Sequence, residues 1–154
     1  MLSTGTLRDE VSEPVSMNRP FEILEHPSDV GIRATGDSLA GAFINAARGL
    51  LSVILKGHVQ ERTERVVTLN ASDRGHLLVR WLSEVLFLYD AEHFVPASFR
   101  FTQFSETSLV AEIRGEAFDS ARHHTKLDVK AVTYHQLALV DRPGLSQVTV
   151  FLDI

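Results

Sequence analysis

Between Asp37 and Gly57 the apolar residues Leu39, Phe43, Ala46, Ala47, Leu50, Leu51 and Ile54 recur at spacings of three and four. That is the period of a helix with one buried face. Asp37 or Ser38 supplies the N-cap, and the pattern predicts an amphipathic helix of about seventeen residues that ends before Gly57. A second stripe, Leu77, Leu78, Trp81, Leu82, Val85, Leu86 and Tyr89, follows Ser72 or Asp73 as cap. Such stripes bury against a sheet, so Trp81 and the leucines are read as core.

The other segments alternate with a period of two. Phe21 to Glu25 and Gly31 to Thr35 read as short neighbouring strands, with Pro27, Ser28 and Asp29 as turn residues between them. Arg65 to Leu69 is a third strand. Ser98 to Phe104 and Ser108 to Arg114 form a hairpin, and 115–126 is irregular and polar. Asp128 to Val140 is a long β-rich run that turns at Arg142, Pro143 and Gly144 into the last segment, "VTVFLDI". These two strands are expected to pair antiparallel. In the last one, Val148, Val150, Leu152 and Ile154 share one face, and Thr149, Phe151 and Asp153 share the other.

The chain of 154 residues, 44% hydrophobic and 23% charged, has the size and balance of one globular domain. No apolar run approaches the ~18 residues of a membrane span, so no membrane association is expected. Residues 1–19 carry charges and lack an apolar h-region, which reads as a flexible tail and not a secretory signal; the domain is expected over 20–154. The absence of cysteine removes disulfides and thiolate metal sites and fits a cytoplasmic location. A net charge of −5 argues against an extended nucleic-acid surface. The most basic stretch, Arg122 to Lys126, is followed at once by Asp128.

Three places are richer in ligand-type residues than a fold needs. In Glu25-His26-Pro27-Ser28-Asp29-Val30-Gly31, Gly31 allows a tight backbone, while Asp29 can equally make an Asx-turn and His26 a surface hydrogen bond. Lys130, inside an otherwise apolar run that leads to His135, wants an acidic partner or guards a sheet edge against aggregation. At the chain end, the Asp153 side chain and the Ile154 α-carboxylate lie one residue apart. With Asp29 they make a three-ligand oxygen site for magnesium, manganese or calcium; alone they make a solvated terminus. No phosphate loop, His-Glu-x-x-His or Gly-x-Ser-x-Gly motif is present. The adjacent His123 and His124 do not converge as a zinc site.

Taken in order, "FEILEHPSDVGIRATG" leading into a helix, "LLVRWLSEVLFLYD", "GEAFDSARHHTKLDVKAVTYHQL" and the final "FLDI" resemble the archease family from about Phe21 to Ile154. In that family the first motif often has Thr-Ala where this chain has Pro27-Ser28, a departure that spares Asp29 and Gly31. The resemblance implies an α+β domain with a mixed, mainly antiparallel sheet and two helices, built on a strand-helix-strand-strand module with an insertion. It implies a non-enzymatic accessory protein of the RtcB-type RNA ligase, which seals RNA ends in tRNA splicing and repair with GTP and manganese. The accessory protein promotes guanylylation of the ligase and multiple turnover. Carried over, the divalent metal ligands are Asp29, Asp153 and the carboxylate of Ile154, and Lys130 matches a lysine of the activating function. His26 and His135, in the same two motifs, are the accompanying candidates for partner contact.

Two other classes are weighed beside this one. A stand-alone metal-dependent phosphoester hydrolase needs a general base, and His26 is the only candidate the motifs supply. A general chaperone predicts exposed apolar patches and indifference to changes at the metal ligands.

Overall fold

The computed structural model describes residues 19–154. The tail assigned to 1–19 therefore lies outside the described residues, apart from Arg19, whose carbonyl accepts a hydrogen bond from the Thr35 hydroxyl at 3.0 Å. The elements are β1 (Phe21–Glu25), β2 (Asp29–Gly36), α1 (Leu39–Ile54), β3 (Leu55–Lys56), β4 (Thr63–Asn70), α2 (Arg74–Asp90), β5 (Phe94–Phe104), β6 (Ser108–Ala117), β7 (His124–Thr125), β8 (Ala131–Arg142) and β9 (Leu145–Asp153). Among the described residues every strand pairing is antiparallel. The strands divide into a four-stranded sheet β1-β2-β9-β8, a three-stranded sheet β4-β6-β5 and the small pair β3-β7.

Both helices start where the caps predict. The Ser38 side chain accepts from the Gly41 amide, and the Asp73 side chain accepts from the His76 amide, each satisfying one free donor of a first turn. Helix α1 packs on β1, β2 and β9. Helix α2 packs on β8 of the larger sheet, on β4 and β5 of the smaller one, and on α1. The core is continuous: Ile32, Phe43, Leu50, Leu77, Leu82, Leu109, Ile113, Val150 and Leu152 are all buried. Trp81 sits within it, fully buried. Its indole N–H donates to the Phe43 carbonyl at 2.9 Å, and its ring meets Phe99 and Phe101 edge-on.

The final strand is not an edge. β9 lies between β2 and β8, which is why an apolar segment can stand at the end of the chain without fraying. β8 and β9 are joined by a tight turn in which Gly144 takes φ 79°, a conformation glycine adopts without strain.

The segment 115–126, read as irregular and polar, is organised by a buried acid. Glu116, 2% exposed, accepts two bonds from the Arg122 guanidinium at 2.7 and 2.8 Å and one from the Gln60 amide at 2.9 Å. His123, also buried, accepts from the Asp119 amide at Nδ1, so its Nε2–H donates to Glu116 at 3.0 Å. Both ring nitrogens of His123 are thus engaged within this cluster, while His124 lies exposed on β7. The Arg122 guanidinium and the Gln60 amide hold the Glu116 carboxyl well below the usual glutamate range.

The sign of the linkage follows. A depressed native pKa contributes stability that is fully present above the ordinary value, about 4.3, and is lost as pH falls below it toward the native one. Glu116→Gln is therefore expected to melt lower than the native protein at pH 7 and to lose less of its stability between pH 5 and pH 2. Thermal melts across that range check it.

Candidate functional site

The antiparallel registers of the larger sheet build the site. β1 and β2 form a hairpin in which Glu25 faces Val30. His26 and Asp29 are the next residues on the two arms, closed by a bond from the His26 amide to the Asp29 carbonyl at 3.2 Å. On the far side of β2, Asp29 stands directly opposite Asp153 of β9, and Asp153 stands opposite Ala131 of β8. His26, Asp29 and Asp153 thus occupy one row across the end of the sheet, on the same face. Asp29 begins a strand and makes no Asx-turn among the described residues.

The next row on that face is Leu24, Gly31, Phe151 and Thr133. Here the tight backbone that Gly31 allows has a specific use. The glycine lies within β2, and the Phe151 ring occupies the space where a side chain would be, 2.7 Å from an ideal Cβ position. Phe151 is 3% exposed although it shares the outer face with Asp153, because His26 stacks on it at 5.2 Å and His135 meets it edge-on at 6.1 Å. The sequence reading missed this cluster, since alternation says which face a residue takes and not what covers it. Gly31→Ala is expected to displace the ring and cost about 1–3 kcal/mol, read by denaturant unfolding.

Lys130 is exposed and precedes β8, with no ion-pair partner among the described residues, so it is not a buried lysine seeking an acid; it stands at the start of β8, an edge strand of its sheet. Its backbone amide donates to the Asp153 carbonyl at 2.7 Å, which fixes the lysine beside the acidic row. β8 is also interrupted: four residues, 134–137, stand where β9 has only Val150, and Gln136 takes φ 52°. This bulge, of a kind that re-aims side chains beside sites, carries His135, whose amide donates to the Thr133 hydroxyl at 3.2 Å. Beside the row, on the core side, a cleft of about 460 Å³ is lined by Ile23, Val30, Val53, Leu127, His26 and Ile154.

The electrostatics favour a cation. Two aspartates directly opposite across a strand pair repel one another. One carboxylate oxygen of Asp29, Oδ1, is buried and accepts no hydrogen bond; its nearest cationic neighbour is the His26 imidazole, an ion-pair contact with Nδ1 at 3.0 Å. A buried, unpartnered carboxylate oxygen is costly unless something positive meets it. Among the described residues no three His, Cys, Asp or Glu side chains are grouped closely enough to hold an ion. The oxygen groups at this sheet end are the carboxylates of Asp29 and Asp153, which face one another, and that of Ile154, the residue after Asp153.

A two-layered α+β domain with an acidic row at one sheet end, beside a fixed lysine and a bulged strand, is thus the class of molecule. Residues 21–154 match the model of the archease protein family (MTH1598/TM1083). The chain is 35% identical over 144 residues to Protein archease of Methanosarcina acetivorans, covering 90% of this chain and 99% of that one. It is 39% identical over 139 residues to Protein archease of Saccharolobus islandicus, covering 88% and 99%. The solution structure of protein 1598 from Methanobacterium thermoautotrophicum superposes with a TM-score of 0.76 at 31% identity, over 88% of this chain and 99% of that one. A Thermotoga maritima protein described as an archease and possible chaperone shares the fold, with a TM-score of 0.58 at 16% identity over 96% of this chain and 100% of that one. The chain belongs to the archease family. No helix among the described residues is long and apolar enough to cross a membrane.

Proposed function

We propose that this protein is a non-enzymatic activator of an RtcB-type RNA ligase, working in the cytoplasm and promoting the ligase's metal- and GTP-dependent guanylylation and repeated turnover. The observation that carries the reading is the row itself. Asp29 and Asp153 lie opposite one another, a buried Asp29 oxygen lacks a hydrogen bond, and Lys130 is anchored next to them. Asp29, Asp153 and the Ile154 carboxylate are the residues to hold a divalent ion, manganese, magnesium or calcium. Such an ion offsets phosphate charge during nucleotidyl transfer.

Lys130 contributes a flexible, exposed ammonium on the same sheet end, suited to a phosphate as a point charge. Docking on a protein partner needs no RNA track, in keeping with the net charge of −5. A hydrolase is less well supported. Its one candidate base, His26, is packed on Phe151 and paired with Asp29 at 3.0 Å. The chaperone reading has a lesser basis too: the exposed large apolar residues Val66, Phe87, Tyr134 and Val140 lie on β4, α2 and β8.

The test is reconstitution with the ligase of the same genome, following guanylylation and turnover at saturating manganese and GTP. Stimulation is expected; none over the ligase alone overturns the reading. Lys130→Ala is expected to lose most of the stimulation and to melt like the native protein, because the residue is exposed. Native stimulation by that variant would remove Lys130 from the activating group.

A further inference from the structure

We infer that Tyr134, set outward by the bulge in β8, is the side chain by which this protein anchors itself on its protein partner, the ring entering an apolar pocket bordered by carboxylates. That the partner is the ligase rests on the reading above; the anchor itself rests on the strand.

β8 leaves its ladder after Thr133, opposite Phe151, and rejoins it at Ala138, opposite Thr149. The four residues between give up regular pairing, and Gln136 takes φ 52°, a left-handed conformation that is costly for a residue with a side chain. The bulge is nevertheless pinned on both sides. His135 meets Phe151 edge-on, and Leu137 packs over Gly75 of α2, 3.1 Å from where a Cβ would stand. Tyr134 is not turned inward by this arrangement. It is 55% exposed, with one edge of its ring held by the His76 ring of α2 at 5.9 Å. Bulges re-aim side chains, and the core gains nothing from strain that presents an aromatic ring to water.

The occupant follows from the surroundings. Tyrosine is enriched among the residues that dominate protein interfaces, since it buries a large, stiff ring with a polar tip. Tyr134 also continues the candidate site. It lies at most about 13 Å of chain from Lys130, whose amide is tied to Asp153, and its neighbour His135 shares Phe151 with His26. A partner that receives Lys130 in an active centre therefore has Tyr134 at the margin of the same contact. Between Lys130 and Arg142 the one acid is Asp141, and the Ser146 hydroxyl at 2.6 Å and Arg74 at 3.8 Å engage it. The strand thus offers cations and imidazoles to a surface that supplies acceptors. An RNA base stacked on the ring fits less well, because Lys130 and Arg142, at the two ends of the strand, make no phosphate track in a chain of net charge −5.

The test uses the full chain and the ligase of the same genome. Affinity is measured by calorimetry without RNA and again with a substrate RNA, and stimulation of guanylylation is titrated against the concentration of this protein. Tyr134→Ser is expected to raise the dissociation constant and the half-saturating concentration about tenfold or more. It is expected to leave the maximal stimulation at saturation unchanged and to melt like the native protein, because the residue is exposed. Tyr134→Phe, which keeps the ring, should restore most of the affinity, and Phe87→Ser, which removes a ring 50% exposed on α2, should bind like the native protein. Native affinity in Tyr134→Ser, or an equal loss in Phe87→Ser, overturns the inference while the activator reading stands. A loss seen only with RNA present also overturns it and assigns the ring to a base. A native protein that neither binds nor stimulates the ligase overturns the activator reading, and the anchor on the ligase with it.

Discussion

Asp29→Asn is expected to lower manganese and calcium affinity by at least about tenfold and to abolish stimulation of the ligase, without lowering the melting temperature of the metal-free protein. The substitution keeps volume and shape but replaces an anionic oxygen by a weak neutral one, which a hard cation discriminates against strongly. Stability should not suffer. The change removes the repulsion between two directly opposed carboxylates and uncharges a buried oxygen that has no hydrogen bond. Asp153→Asn should reproduce the loss of binding. A short extension after Ile154 should do so as well, since it converts the α-carboxylate into a neutral amide carbonyl and sets new chain beside the ion, while the same extension at the N-terminus should do little. Calorimetric titration of the three variants beside the native chain is the measurement. Native affinity in the extended protein would remove the Ile154 carboxylate from the ligand set.

The largest loss of stability is expected from Trp81→Ala, at about 3–5 kcal/mol. The side chain is fully buried where the helices and the smaller sheet meet, and truncation leaves a cavity bordered by Phe43, Phe99 and Phe101. Trp81→Phe separates the contributions. It retains most of the aromatic packing and loses the bond to the Phe43 carbonyl, for about 1 kcal/mol of hydrogen bonding plus whatever the smaller ring leaves unfilled. Because Trp81 is the chain's one tryptophan, unfolding of both variants is best followed by far-ultraviolet circular dichroism in denaturant. A loss under 1 kcal/mol for Trp81→Ala would mean that the surrounding core closes over the gap.

The helices, their capping residues Ser38 and Asp73, most of the strands and the face assignment of "VTVFLDI" were legible in the sequence, because each depends on neighbours within a few positions. Period, cap and turn are local physics, and the tertiary structure moved strand ends by up to four residues, as at β5, which begins at Phe94 and not at Ser98. The residues of the candidate site were also named from the sequence, through carboxylates that suit a hard cation and through the family motifs. What the sequence left open was how they meet. Strand register decides that Asp29 faces Asp153, and register is the sum of many distant contacts that no local pattern reports. The same holds for Glu116. Its partners Gln60 and Arg122 become partners only when the segments around 60 and 122 come together over the end of β6, so a stretch that reads as polar surface contains a buried acid. For Lys130 the apolar neighbours left two readings open, a lysine in need of an acid or one at a sheet edge, and the tertiary structure leaves it exposed just before β8. Gly31 read as a place for a tight backbone at the start of a strand, and only the fold shows that its use is to seat Phe151 from another strand. Composition and periodicity therefore determined which residues lie inward and which elements form, since burial and backbone propensity act along the chain. Only tertiary structure decided which side chains share a site, since that depends on the distance between residues far apart in sequence.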